Sequence, residues 1–240
     1  MVLITGASAD VPEAKAPDES LNEQVYRWVR ERIINGTFQP GERLRERTIA
    51  DELNVSRVPI RETFPRLESE GYIKSHHRRG VIVEAVTVKD IAELFTVRLS
   101  LEVLTARLAA EECAKGATGD QLRNSLLEAG RAVAQGDEAT IAEATWTLHE
   151  DLLALANCRL LDDLMVRVHG RMRRLFHIVV HRDHGAVHSE HEALCAAVLA
   201  GEVELASALA FAHVEQSRLE TMPIVTSLLG PISLTGGVRH

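Results

Sequence analysis

Residues 44 to 84, LRERTIADELNVSRVPIRETFPRLESEGYIKSHHRRGVIVE, change periodicity three times within one short stretch, and that order leaves few folds open. Ile49, Ala50 and Leu53 give a first helix its apolar face. Asn54-Val55 then breaks the pattern as a two-residue turn, and Ser56 offers an N-cap oxygen to a second helix. Pro59 falls in the first turn of that helix, where its missing N–H would be an orphan anyway, and Ile60, Phe64 and Leu67 carry the apolar stripe onward. Tyr72-Ile73-Lys74 and Val81-Ile82-Val83 read as two strands joined through Ser75 to Gly80, with Arg78 and Arg79 at the hairpin tip. A turn this short between two helices allows only a crossed pair.

The side of the second helix opposite its apolar stripe carries Arg57 and Arg61, four residues apart and so on one face. Two guanidinium forks there suit guanine edges and phosphates in a major groove, although an arginine pair at this spacing also suits a solvated face. The whole series, Ile34 to Phe38 with Pro40-Gly41, then Arg47, Ala50, Leu53, Ser56-Arg57, Pro59, Arg61-Glu62, Leu67, Glu70-Gly71 and Gly80, resembles the winged helix-turn-helix of GntR-family transcription regulators over about residues 20 to 84. The resemblance implies that Arg47, Arg57 and Arg61 touch operator phosphates and bases, that His77 reaches a minor groove, and that Ser56, Arg78 and Arg79 share the DNA-contacting surface. Pro65 departs from the pattern. It lies inside the recognition helix, removes the hydrogen bond to the Arg61 carbonyl and is expected to bend the helix.

Composition fits a folded chain of two domains. Hydrophobic residues make up 45% of the 240 positions and charged residues 26%, which argues against disorder and membrane spans alike. Charge is unevenly divided: residues 20 to 84 hold 12 Lys+Arg against 10 Asp+Glu, whereas residues 85 to 240 hold 14 against 21. A net charge of −8 therefore does not oppose DNA binding, since positive charge need only cluster on the contacting face. Cys113, Cys158 and Cys195 form no close pair and read as buried small hydrophobes in a reducing cytoplasm. Met1 to Ala9, MVLITGASA, starts like a dinucleotide-binding strand, but Asp10, Val11 and Pro12 follow in place of further glycines. Residues 1 to 19 are read as a flexible leader.

Thr87 and Asp90 form a capping-box pattern that opens the second domain. From there the periodicity predicts helices over about 87–114, 118–135, 137–156, 160–182, 186–200 and 203–221, a mainly α chain ending in a six-helix bundle, with 222–240 as a C-terminal tail. The bundle resembles the effector domain of the FadR branch of the same family, through Val97-Arg98 with Leu101-Glu102, Arg107 to Ala110, Leu148-His149, Asn157, Glu190-His191 with Leu194, Ala200-Gly201 and His213. Six helices are most similar to its VanR-type subgroup.

The resemblance implies a divalent metal, zinc or nickel by imidazole preference, held by His149, His191 and His213. The family's aspartate position, one turn before His149, is Thr145, a poor neutral ligand. Each histidine shares its helix face with core residues, so hydrogen-bonded core histidines fit the same pattern. Arg98 matches a cavity-facing arginine, and Arg171, Arg173 and Arg174 lie on the opposite helix, where a solvated basic face accounts for at least two of the three; Arg98 with Arg174 implies a small carboxylate effector. An intrahelical pair with Glu102 explains Arg98 equally well. His169, His177, His181, His184 and His188 read as a solvated histidine-rich corner.

The expectation is a homodimeric, ligand-controlled repressor that reads an inverted repeat of double-stranded DNA. Its rival is an all-α metalloenzyme that activates water at the three histidines, with Glu150 as base. The sequence offers no paired general acid and base at defined spacing.

Overall fold

The computed structural model describes residues 20–77, 79–178 and 183–230. Residues 1–19, with the dinucleotide-like start, and Arg78 lie outside this range. Within it, residues up to Glu68 together with Ile73–Val83 form one compact unit, and Ser69–Tyr72 with the chain from Glu84 onward forms a second.

The first unit comprises α1 (Leu21–Ile34), β1 (Arg43–Leu44), α2 (Glu46–Leu53), α3 (Arg57–Ser69), β2 (Ile73–His76) and β3 (Gly80–Val83). Ser20 caps α1 by accepting from the Glu23 N–H. Val25, Val29, Ile33, Ile49, Ile60, Phe64 and Leu67, the apolar stripes of the three helices, are buried. α2 ends on Asn54 in the left-handed conformation, a state asparagine tolerates better than most residues. The connection to α3 is Asn54–Ser56, one residue longer than the turn read from the sequence. α3 continues through Pro65 to Ser69. The strands also run further than expected, to His76 and from Gly80, because His76 still pairs with Gly80. Arg43–Leu44 adds an antiparallel strand on β3 that sequence periodicity did not indicate, since two residues carry no period.

Among the described residues the second unit contains six helices, α4 (Val88–Ala114), α5 (Asp120–Gln135), α6 (Glu138–Leu155), α7 (Arg159–Ile178), α8 (His184–Leu199) and α9 (Val203–Leu229). The Thr87–Asp90 capping box is complete: each side chain bonds the other's backbone N–H. α4 and α9 form the most extensively packed helix pair, while α7 is held chiefly by α4. One apolar core runs through the bundle, including Phe95, Ala109, Leu152, Met165, Met172, Leu194, Val198 and Val214. The expected break at 221 is corrected: α9 passes through Pro223 to Leu229. Val225 is fully buried, and burial of that face outweighs the single hydrogen bond lost at proline. Residues 222–229 are thus helix rather than tail, and residues 231–240 lie outside the description.

Candidate DNA-reading surface and three-histidine cavity

In the first unit α3 presents Arg57 and Arg61 on its exposed side, with Ser56 exposed just before it. Arg47 on α2, His77 and Arg79 are exposed too. Arg61 is not idle: Nε and Nη2 donate to the two Glu46 carboxylate oxygens at 3.2 and 2.8 Å. That fork holds the Glu46 carboxyl below its ordinary value. Arg47 stands 3.7 Å from Asp51. These exposed pairs are weak and exchangeable, so guanidinium groups can leave them for phosphate or guanine. Sequence reading missed Val58. It is 59% exposed between the two arginines, an apolar side chain on the polar side of α3.

In the second unit His149 on α6, His191 on α8 and His213 on α9 come together, with one ligand-capable atom from each lying within 4.8 Å of the others. Ring centroids are 5.0 Å apart for His149 and His191, 4.7 Å for His191 and His213, and 6.1 Å for His149 and His213. His191 and His213 are buried. Glu190 contributes what periodicity could not show: its carboxylate lies 2.7 Å from His213 Nδ1. A proton held there leaves Nε2 as the lone-pair nitrogen, the arrangement that orients a metal-binding imidazole. Three neutral imidazoles with a carboxylate behind one of them fit a divalent transition ion. Thr145 is half-buried, and among the described residues the cluster consists of the three histidines with no carboxylate ligand.

Beside the cluster is a small cavity whose walls include Glu102, Thr105, His149, Met165, His169 and His213. Its open space, about 20 Å³, is enough for an ion or a water. His169 corrects the reading of a solvated histidine-rich corner. It lines the cavity, meets the Trp146 ring edge-on at 4.7 Å and is pushed by burial down to about 4, Glu102 opposing and Arg173 and Arg98 reinforcing. The reason is helical phase, since His169 falls on the Met165 side of α7. His184 and His188 are half-buried on α8; His181 and the His177 side chain lie outside the description.

Arg98 is fully buried, with Nε 2.5 Å from Glu102 Oε1 and Nη1 3.4 Å from Ser217. The intrahelical pair with Glu102 is the arrangement observed; Glu102 lines the cavity, and Arg98 is not among the lining residues. Arg174 is placed differently from expectation. It is not among the cavity-lining residues; Nη1 donates to the Gly71 carbonyl at 3.0 Å and Nη2 to the Glu84 carbonyl. Glu150, the candidate base, accepts from Trp146 Nε1 at 2.6 Å and from Arg173 at 3.2 Å.

Residues 21–83 match the family model described as bacterial regulatory proteins, gntR family, and residues 93–216 match the FCD domain. The chain is 35% identical over 60% of its length to the uncharacterized HTH-type transcriptional regulator YdhC of Bacillus subtilis, and the match spans 65% of that relative. It is 27% identical to the HTH-type transcriptional repressor RspR of Escherichia coli, over 66% of this chain and 69% of RspR. Among solved structures, a putative transcriptional regulator GntR from Rhodococcus sp. RHA1 is similar at 30% identity and a TM-score of 0.68, covering 84% of this chain and 97% of that one.

Proposed function

This chain belongs to the GntR family of bacterial regulatory proteins and carries an FCD domain, and from that premise we propose that it is a cytoplasmic, homodimeric repressor released from its operator by a small carboxylate. The family makes it a transcription regulator and not an enzyme. Two copies would present two α3 helices to the half-sites of an inverted repeat, with Arg57 and Arg61 at base edges, Arg47 and Ser56 nearby, and His77, Arg78 and Arg79 supplied by the wing.

The observation that carries the ligand reading is the convergence of three imidazoles within 4.8 Å beside a cavity in the domain that does not read DNA. His149, His191 and His213 would hold a zinc or nickel ion, with Glu190 fixing His213. When bound, the ion supplies a Lewis-acidic centre with open positions for a carboxylate. None of the three ligands would carry charge of its own, which favours an anion at the ion's open positions. Arg98 would reach such an anion only by sharing or leaving Glu102. A ligand that prefers one arrangement of the dimer shifts operator affinity by its differential binding energy, typically about 1–3 kcal/mol.

Selection from a random duplex library followed by competition tests the reading. The expected outcome is enrichment of an inverted repeat whose binding survives excess bulk DNA, and measured metal content near one ion per chain that falls in His191→Ala. Recovery of no preferred sequence, with or without added zinc, rejects the regulator.

A further inference from the structure

We propose that α7 is the relay of this protein: its cavity-facing turn senses what enters beside the three histidines, and its next turn holds the two points where the chain leaves and rejoins the helical unit. The proposal rests on reading the cavity as the effector site.

The two ends of the relay lie on one rigid rod. Met165 and His169 line the cavity. One residue on, a Cβ added at Gly170 would lie 2.5 Å from Glu70 Cβ and 3.0 Å from its Cα, so α7 and the Glu70 backbone are as close as a side chain-free position permits. Arg171 reaches Gly71, with Nε 3.3 Å from where a Cβ would stand. Arg174, buried one turn further, takes the carbonyls of Gly71 and Glu84 together, and its guanidinium lies 5.9 Å from the Tyr72 ring centre. Gly71 and Glu84 pack within the helical unit, yet Gly71 is two residues beyond the end of α3 and Glu84 directly follows β3. Arg174 thus ties both strands of the covalent connection with one planar group, which only arginine's fork can do.

The cavity supplies the motion. The cavity's open space is only about 20 Å³, so an organic carboxylate entering it presses on its walls, and the walls differ in how many helices pack against them. α4 and α9 grip one another along their lengths, and α8 packs on α4, α5 and α9; α7 has chiefly α4. Displacing His169 therefore moves α7 first, and a helix transmits that movement to Arg174 one and a half turns away. Packed interfaces respond in steps rather than by continuous bending, which makes the Gly170–Glu70 contact the place where the response registers.

Hydrogen–deuterium exchange on the full chain tests this without knowing the effector. His169→Ala, which alters the cavity end, is compared with wild type in peptides spanning 69–73 and 84–87, in the native background and in Arg174→Lys, which keeps the charge but lacks the fork. The expected result is a change in exchange of about threefold or more in those peptides, abolished in the Arg174→Lys background while α5 peptides stay constant. Unchanged peptides in His169→Ala, or a change that persists undiminished in Arg174→Lys, overturns the relay. Zinc titration of the same proteins keeps the two readings apart: failure to bind zinc rejects the metal site, whereas silent peptides reject the relay whether or not zinc binds.

Discussion

Arg61 holds both carboxylate oxygens of Glu46, so its affinity for a base is a difference between two forks. The fork to Glu46 is exposed, so solvent and salt screen it and it is readily exchanged. A bidentate contact with guanine discriminates by about 1–3 kcal/mol, so the base wins where the sequence is right. Arg61→Ala should therefore cut the ratio of operator to random-duplex affinity by roughly tenfold or more, read by fluorescence anisotropy with both duplexes at one salt concentration. Equal losses on the two would remove α3 from base reading. His169 sets a second residue-scale expectation. Its folded value near 4 lies below the unfolded 6.5, so the unfolded chain takes a proton first as the pH drops. Stability is complete above about 6.5 and declines toward 4, by about 3 kcal/mol over the window. In chelator-treated protein His169→Gln should flatten the dependence of the urea midpoint on pH in that range; an unaltered slope assigns it elsewhere.

At the scale of elements, what periodicity encodes was legible and what tertiary contact decides was not. The crossed helix pair α2–α3 and the hairpin in the first unit, and six helices in the second, follow from apolar spacing and caps such as Thr87 with Asp90. The histidines at 149, 191 and 213 were legible through the family resemblance, whereas their core-facing positions fitted buried core histidines equally well. His169 was not, because neighbouring histidines masked its phase on α7. Arg174 was placed on the wrong partner, since its acceptors are backbone carbonyls about 90 and 103 positions away and a carbonyl has no signature in sequence. Gly170 is similar: a glycine inside a helix reads as a weakness worth about 1 kcal/mol. Here contact reverses the sign. Gly170→Ala gains helix propensity but places a methyl within 2.5 Å of Glu70 Cβ and 3.0 Å of its backbone, which overlaps atoms with little freedom to move. The net expectation is a loss of about 1–2 kcal/mol in denaturant unfolding of the helical unit, against the gain predicted from propensity alone.

The whole molecule joins two units with separate cores, so it need not melt as one. A metal bound through His149, His191 and His213 interacts with the second unit only. Mass action then adds to that unit about 2.7 kcal/mol when free zinc reaches a hundred times its dissociation constant, and nothing to the first. For a unit of this size each kilocalorie raises the midpoint by about 2–4 °C, so its transition should climb by about 5–10 °C in scanning calorimetry while the other stays in place. A common shift of both transitions would mean that the units unfold cooperatively, and no shift in either would mean that the three imidazoles are core histidines. His191→Ala distinguishes a genuine site from general zinc adsorption, because it leaves ten other histidines and should still abolish the rise. Uneven charge gives the two units separate handles as well: DNA should raise only the transition that zinc leaves alone, and a duplex that raised the other would place the reading surface in the acidic half of the chain.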